Sequence, residues 1–113
     1  MLEAVTAAEQ GHGLMDRTSV APYAGMAFVF DSPSTDLFYM KDTLIPLSIA
    51  WFRADGRFID ATEMPPCPPV TAICPTYSAA APYTLAVEVP EGRLAAMGIG
   101  PGATVHLGGT CGT

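Results

Sequence analysis

The sequence predicts a mainly β fold, a small antiparallel sandwich or barrel of six or seven short strands with two short helices. Short apolar segments alternate their side chains with a period of two, and glycine, proline and aspartate separate these segments at close intervals. Strands and helices do not alternate at the lengths that a parallel α/β sheet requires. A chain of 113 residues can bury one core. We therefore expect a single domain over residues 1–107 and a flexible C-terminal tail over residues 108–113.

The N-terminal part predicts one strand followed by one helix. Residues 2–5 are apolar and short enough for a strand. Thr6 and Glu9 have the spacing of a capping box, so a helix should begin at Ala7. Gly13 can adopt the left-handed conformation that ends a helix, which limits this one to about two turns.

The remainder predicts strands joined by turns, with one further helix over residues 91–97 that ends at Gly98. Residues 83–89 alternate most regularly, and the alternation places Glu88 on the solvent side. Residues 31–34 read as a turn after the first strand of this part, and Asp55-Gly56 reads as a hairpin turn. The predicted strands cover residues 26–30, 36–41, 44–53, 57–63, 83–89 and 103–107.

The charge of the chain excludes two classes of partner. Five Lys and Arg residues against eleven Asp and Glu residues give a formal net charge of −6 at pH 7, and no stretch clusters basic side chains. We therefore expect no nucleic-acid partner and no anionic membrane surface. Residues 64–87 lack charge, but prolines interrupt them, so we expect no transmembrane segment.

The proline-flanked pair Cys67 and Cys74 is the most specific local feature. A disulfide between them would close a short loop, stabilise the fold by roughly 2–3 kcal/mol and indicate an oxidising compartment. Two reduced, buried thiols are one alternative, and a metal site is a weaker one because zinc normally requires four ligands. Cys111 is left over in the tail, where a free thiol and an intermolecular pairing are both open. We predict a periplasmic or secreted location, with the leader absent from this chain.

Lys41, the only lysine, is the centre of the candidate ligand site. An amine beside aromatic rings can hold an anionic or carbonyl ligand. The alternative is an edge-strand charge that opposes aggregation or pairs with a neighbouring carboxylate, Asp36 or Asp42. The candidate residues around it are Phe38, Tyr39, Asp42 and Thr43.

Three further polar residues have a structural and a functional interpretation. Arg17 is a candidate ligand-binding residue, although it can also hold its own loop through a carboxylate or backbone carbonyls. His12 and His106 are interpreted as surface or locally bonded histidines rather than general bases. We predict no catalytic residue, no metal site and no cofactor, since the chain has neither a nucleophile elbow nor a phosphate-binding glycine loop.

Seven short motifs stand in order along the chain, at residues 13–17, 25–30, 38–47, 55–57, 66–67, 74–77 and 98–105. This ordered set resembles a bacterial family, the domain of unknown function 192, over residues 2–107. The resemblance implies a small mainly β domain, often preceded by an export signal, and no assigned activity. Tyr39 stands where the family commonly has tryptophan, Asp42 where it has asparagine, and Ser48 and Ala103 where it has aspartate.

Three functions remain open on this sequence. The first is a non-catalytic periplasmic module that binds a small molecule, glycan or peptide at a pocket bordered by residues 38–43, Arg17 and the cysteine loop. The second is a structural or assembly module, monomeric or homodimeric. The third is an enzyme of unknown class that uses Lys41 and Asp42, with His106 as a further acid or base.

Overall fold

The computed structural model describes residues 1–19, 24–67, 70 and 73–105. Within them seven strands form two sheets, accompanied by two short helices. The elements are β1 (Leu2–Ala4), α1 (Ala7–His12), β2 (Met26–Ser34), β3 (Phe38–Tyr39), β4 (Leu47–Phe52), β5 (Phe58–Met64), β6 (Thr76–Tyr77), β7 (Tyr83–Pro90) and α2 (Arg93–Ala96).

The arrangement is sandwich-like and mainly β, as predicted, and the barrel alternative is wrong. The larger sheet has the strand order β1-β2-β7-β4-β5, and the smaller sheet pairs β3 with β6. In the described part of the chain β1 and β5 are the two ends of the larger sheet and do not pair with each other. The sheet is therefore open.

One strand pair departs from the predicted antiparallel pattern. β1 runs parallel to β2, whereas the pairs β2·β7, β7·β4 and β4·β5 are antiparallel. Parallel neighbours need a crossover connection, and the chain between β1 and β2 contains α1. The predicted helix and its capping box thus occupy the connection that makes this pair parallel.

Several predicted strand bounds are corrected. β2 continues to Ser34, so residues 31–34 extend the strand through a register shift instead of forming a turn. The strand predicted over residues 36–41 is reduced to β3. Of the strand predicted over residues 103–107, only Thr104 is paired, in an isolated bridge with Arg57, within residues 103–105. Residues 106–107 and the predicted tail, 108–113, lie outside the described residues.

The core occupies both faces of the larger sheet. One face, the aromatic face, carries Trp51, Tyr83 and Phe28 and receives Phe38 and Tyr77 from the small sheet. The opposite face of the sheet packs against α2, whose Leu94 belongs to the core on that side. Since both faces are covered, every residue of β4 is buried. The predicted shared face of Leu47, Ile49 and Trp51 is confirmed as part of the aromatic face.

The prediction that Glu88 points to solvent is wrong. β7 is the middle strand of the larger sheet, and core residues pack on both faces of that sheet, so both faces of the strand are covered. Leu85, Val87 and Val89 belong to the core on the α2 side, while Ala86 belongs to the aromatic face. Glu88 alternates with Leu85, Val87 and Val89, so it lies on the same face of the sheet as Ala86, with only 4% of its surface exposed.

Helix α1 is held by side-chain hydrogen bonds and contains no buried residue. The predicted capping box is present: the Glu9 N–H donates to the Thr6 hydroxyl, and the Glu9 carboxylate accepts from the Thr6 N–H, at 3.1 and 2.9 Å. The amide nitrogen of Gln10 donates to the carbonyl oxygens of Ala4, Val5 and Val29 at 3.3, 3.2 and 2.8 Å. Gln10 therefore ties α1 to both β1 and β2.

Candidate functional site

A cleft of about 430 Å³ opens on the aromatic face of the larger sheet. Helix α1 and the turn that follows it line one part of the cleft, and residues 36–39 line another. Phe28 and Phe30 of β2 line it from the sheet, together with Thr43 and Glu88. The cleft thus lies where the crossover connection, the sheet and the small β3–β6 sheet meet.

Glu88 is the buried ionisable group of this cleft. Its neighbours in register on the adjacent strands are Met26 and Ile49, neither of which can bond a carboxyl. No described residue donates a hydrogen bond or forms an ion pair to its side chain. Burial disfavours the charged form and raises the pKa of Glu88 to about 8. At neutral pH the site therefore holds a largely protonated carboxyl without a protein partner.

An aromatic cluster forms the wall next to Glu88. The Phe38 ring meets the Phe28 ring edge-to-face with centroids 5.2 Å apart, and it also contacts Trp51 and Tyr83 at 6.1 and 5.9 Å. The Tyr83 hydroxyl donates to the Asp36 carbonyl oxygen at 2.7 Å, which anchors the segment that carries Phe38. Burial raises the pKa of Tyr83, so this hydroxyl keeps its proton. These contacts give the cleft a preformed apolar wall.

Two tight turns flank the cleft and are bonded to each other. Asp16 and Asp42 both have positive φ angles, 64° and 57°, which aspartate tolerates better than most residues. The Asp16 N–H donates to the Asp42 carbonyl oxygen at 2.8 Å. Thr43, which is buried, donates its hydroxyl to the Lys41 carbonyl oxygen at 3.4 Å and its N–H to the Met40 carbonyl oxygen at 2.9 Å.

The structure contains the predicted disulfide between Cys67 and Cys74. The Cys67 carbonyl oxygen accepts a hydrogen bond from the Asp42 N–H at 3.2 Å, and Cys67 also pairs with Lys41 and Thr43 in isolated bridges. The cross-linked segment therefore supports the turn that supplies Thr43 to the cleft. No group of three or more potential metal ligands occurs in the part of the chain that the structure describes.

The predicted site residues divide into two sets. Phe38, Tyr39 and Thr43 line the cleft. Arg17, which is half-buried, and Lys41 and Asp42 lie in the two flanking turns and do not line it. The structure brings the aromatic residues and the threonine together but leaves both basic side chains outside the cleft wall.

The structure also shows where several polar residues with an alternative interpretation lie. Lys41 is exposed and forms no ion pair with Asp36 or Asp42 in the described residues. His12, interpreted as a surface residue, is exposed at the end of α1 and reaches the edge of the cleft. His106 and Cys111 lie outside the described residues.

Two cleft residues, Glu88 and Gln10, were not predicted. Alternation assigned Glu88 to solvent because it assumed that one face of the strand is open. The sequence of β7 does contain a signal for the burial of Glu88: all its other residues are apolar or threonine, which is typical of a strand covered on both faces. Gln10 has no such signal, since its role depends on carbonyl groups of two other strands.

Ser48 has a structural role. Its hydroxyl donates to the Glu63 carboxylate at 2.6 Å and accepts from the Gly92 N–H at 3.0 Å. These bonds connect β4 to β5 and to the residue that precedes α2, on the far side of β4 from the cleft residues.

None of the helices in the described residues is long and apolar enough to cross a membrane.

Comparison with known proteins assigns the chain to a family. The family model of domain of unknown function 192, described as an uncharacterized ACR, matches residues 2–107, and the chain belongs to this family. A crystal structure of a protein of unknown function from Novosphingobium aromaticivorans is similar at 33% identity and a TM-score of 0.79, over 92% of this chain and 71% of that one.

A second solved structure shares the fold. It is a candidate transcription regulator from Sinorhizobium meliloti, similar at 25% identity with a TM-score of 0.77, over 90% of this chain and 76% of that one. The comparison with curated proteins gives no match. The family and the fold are thus shown, and the family carries no assigned activity.

Proposed function

We propose that this domain is a non-catalytic binding module whose cleft receives a small molecule, or a small segment of a glycan or peptide. The observation that carries the proposal is Glu88, a residue only 4% exposed that lines a cleft of about 430 Å³ and whose carboxyl has no bonding partner among the described residues. Buried polar groups are normally hydrogen-bonded, and an exception calls for a partner that the free protein lacks. Ligand pockets of this size typically combine apolar walls with a few placed polar groups.

Binding is better supported than catalysis by the placement of the candidate acid–base groups. An enzyme using Lys41 and Asp42 needs both within reach of one reacting atom. Lys41 is exposed, and both residues lie in a turn outside the cleft wall. The Asp42 backbone stabilises the turn, since its carbonyl oxygen accepts from the Asp16 N–H and its N–H donates to the Cys67 carbonyl oxygen.

The proposed setting is the periplasm or the outside of the cell. The Cys67–Cys74 disulfide supports it, because disulfides persist in oxidising compartments. A role in transcription regulation, as named for the Sinorhizobium meliloti protein, is not proposed for this chain, because a net charge of −6 with five Lys and Arg residues disfavours binding to a polyanion.

An assembly module remains the second candidate. Leu37 and Leu44 are 57% and 44% exposed, and exposed apolar side chains are what a contact surface between copies would use. Light scattering separates the candidates: a concentration-dependent dimer that Leu37→Ser and Leu44→Ser abolish supports assembly, while a monomer favours the binding module.

Ligand-observed NMR with a mixed library of amines, alcohols, carboxylates, sugars and short peptides tests the proposed function. Gly11 lines the cleft, and a side chain added there meets open space, so Gly11→Trp should obstruct the cleft without disturbing the core. Gly100→Trp is the matched control, at an open position outside the cleft. We expect hits that Gly11→Trp abolishes and Gly100→Trp retains. No hit from any chemical class, or hits that survive Gly11→Trp, would contradict the proposal.

A further inference from the structure

We propose that the cleft selects organic ammonium ions, which are ligands with one positively charged nitrogen on a compact apolar body. The inference rests on the proposed binding function and names its ligand class. It is carried by the position of Glu88, by the aromatic residues that line the same cleft and by the absence of lysine and arginine from that lining.

The side-chain donor groups of Gln10 and Thr43, two polar residues of the cleft lining, are already bonded within the protein. The Gln10 amide nitrogen serves three carbonyl groups, and the Thr43 hydroxyl donates to the Lys41 carbonyl. Glu88 is the buried side chain of the cleft that remains without a partner in the described residues. A ligand with many hydroxyl groups needs several deep partners, whereas a single ammonium group is satisfied by one carboxylate.

The charges around the cleft favour a cation over an anion. None of the five Lys and Arg residues lines it, so an anion would be buried without a counter-charge. Phe28, Phe30 and Phe38 line the cleft, and aromatic rings attract a cation at their faces through the ring quadrupole. A carboxylate beside aromatic rings is the combination that an ammonium head with an apolar body requires.

Binding of such a cation should be coupled to pH. Glu88 holds a proton at neutral pH because of its burial, and an ammonium neighbour would favour the ionised form, so that the carboxyl proton is released to solvent. The affinity should then rise as much as about tenfold per pH unit between about pH 5 and pH 8. The other titratable groups on the cleft are Asp36, Tyr39 and His12, while Met26 and Ile49 beside Glu88 do not titrate.

The test compares isosteres that differ in charge: 2-phenylethylammonium, 2-phenylethanol and phenylacetate, followed by the same three end groups on each skeleton found in the library. We expect the ammonium member to bind wild type about tenfold or more tightly than the alcohol at pH 8, and the carboxylate to bind least. Glu88→Gln should remove this preference. Glu91→Gln, which removes one carboxylate from an exposed position, is the matched control and should keep it.

The outcomes separate the inference from the proposed function. Hits confined to alcohols or carboxylates, or a preference for ammonium that survives Glu88→Gln, would overturn the inference and leave the binding function standing. Absence of binding by every library member would overturn both. If Glu88→Gln fails to fold, the wild-type titration decides: affinity for an ammonium hit that does not rise with pH, relative to its alcohol, overturns the inference.

Discussion

Glu88 is the residue whose environment is least compatible with a purely structural role. A buried carboxyl without a bonding partner opposes folding when it is charged and adds little when it is neutral. A residue selected only for packing at this position would be apolar, like its neighbours Val87 and Val89. At the residue scale, the simplest account is that Glu88 is present for a partner outside the chain.

The stability of the wild type should fall as the pH rises from about 4.5 to about 8. The pKa of Glu88 is about 8 in the folded chain against 4.5 for an unperturbed group, so the folded state binds more protons than the unfolded state within this window. The free energy of unfolding should decrease by up to about 1.4 kcal/mol per pH unit there. Urea denaturation of wild type and Glu88→Gln at several pH values measures the effect.

The control for this prediction is Glu91→Gln, which changes the charge equally at an exposed position. The free energy of unfolding of Glu91→Gln should depend on pH as in the wild type. That of Glu88→Gln should fall less steeply, by up to about 1.4 kcal/mol per pH unit. Below about pH 4.5 the contribution of Glu88 is fully present, and above about pH 8 it is lost. Parallel curves for wild type and Glu88→Gln would mean that the carboxyl is not buried.

We predict that replacing Gly25 with any larger residue destabilises the fold, because the backbone leaves no room there for a Cβ atom. A Cβ atom there would collide with the Glu88 carbonyl oxygen, which belongs to the backbone of the neighbouring strand and cannot move aside. Gly25→Ala should therefore lower the free energy of unfolding by roughly 1–3 kcal/mol. Gly11→Ala is the matched control: its Cβ meets open space within α1, so it should be neutral or stabilising by up to about 1 kcal/mol. Equal effects of the two changes in thermal denaturation would contradict the packing of β2 on β7.

The elements of the fold differ in how far the sequence determines them. α1 could be predicted, because its capping residues, Thr6 and Glu9, and the positive φ of Gly13 are local. β3 is shorter than predicted, because its length depends on the two-residue pairing with β6. The parallel direction of β1 could not be read from its residues, since direction is set by the connection and not by the strand itself.

The disulfide is the element-scale feature that links stability to the cleft. Its cysteines are separated by 7 in sequence, and a loop of that size contributes about 2.5 kcal/mol on the chain-entropy model. The double variant Cys67→Ser, Cys74→Ser should lose roughly this amount in urea denaturation. It should also weaken ligand binding, because the Cys67 carbonyl holds the Asp42 N–H in the turn that carries Thr43.

Peptide mapping of native protein, alkylated with and without prior reduction, is the direct check. Cys67 and Cys74 should resist alkylation until reductant is added. Two alkylated thiols at these positions without reductant would contradict the disulfide, and with it the argument for an oxidising compartment.

At the scale of the whole molecule, the sequence predicts the fold class more fully than the site. Strand periodicity and turn residues are properties of short segments, which is why the mainly β architecture and most strand positions follow from them. Whether a sheet is open or closed depends on which strands become neighbours, and the prediction accordingly left both a sandwich and a barrel open. The order β1-β2-β7-β4-β5 resolves this choice.

The site depends on the same long-range arrangement. Its predicted members Phe38, Tyr39 and Thr43 come from one segment and could be found together by inspection. Gln10 and Glu88 are far from that segment in sequence, and only the placement of β7 between β2 and β4 brings Glu88 into the same cleft. The binding roles of Arg17, Lys41 and Asp42 stay predictions, since these residues flank the cleft and do not line it.

A carbon-13 NMR titration of the Glu88 side-chain carboxyl tests the central claim most directly. In the free protein we expect it to titrate near pH 8, as a buried group without a counter-charge should. With a saturating organic ammonium ligand the midpoint should fall well below that value, while a neutral isostere should not lower it. A midpoint near 4.5 in the free protein, or no response to any bound ligand, would contradict the account of Glu88 as the unpaired group of a binding cleft.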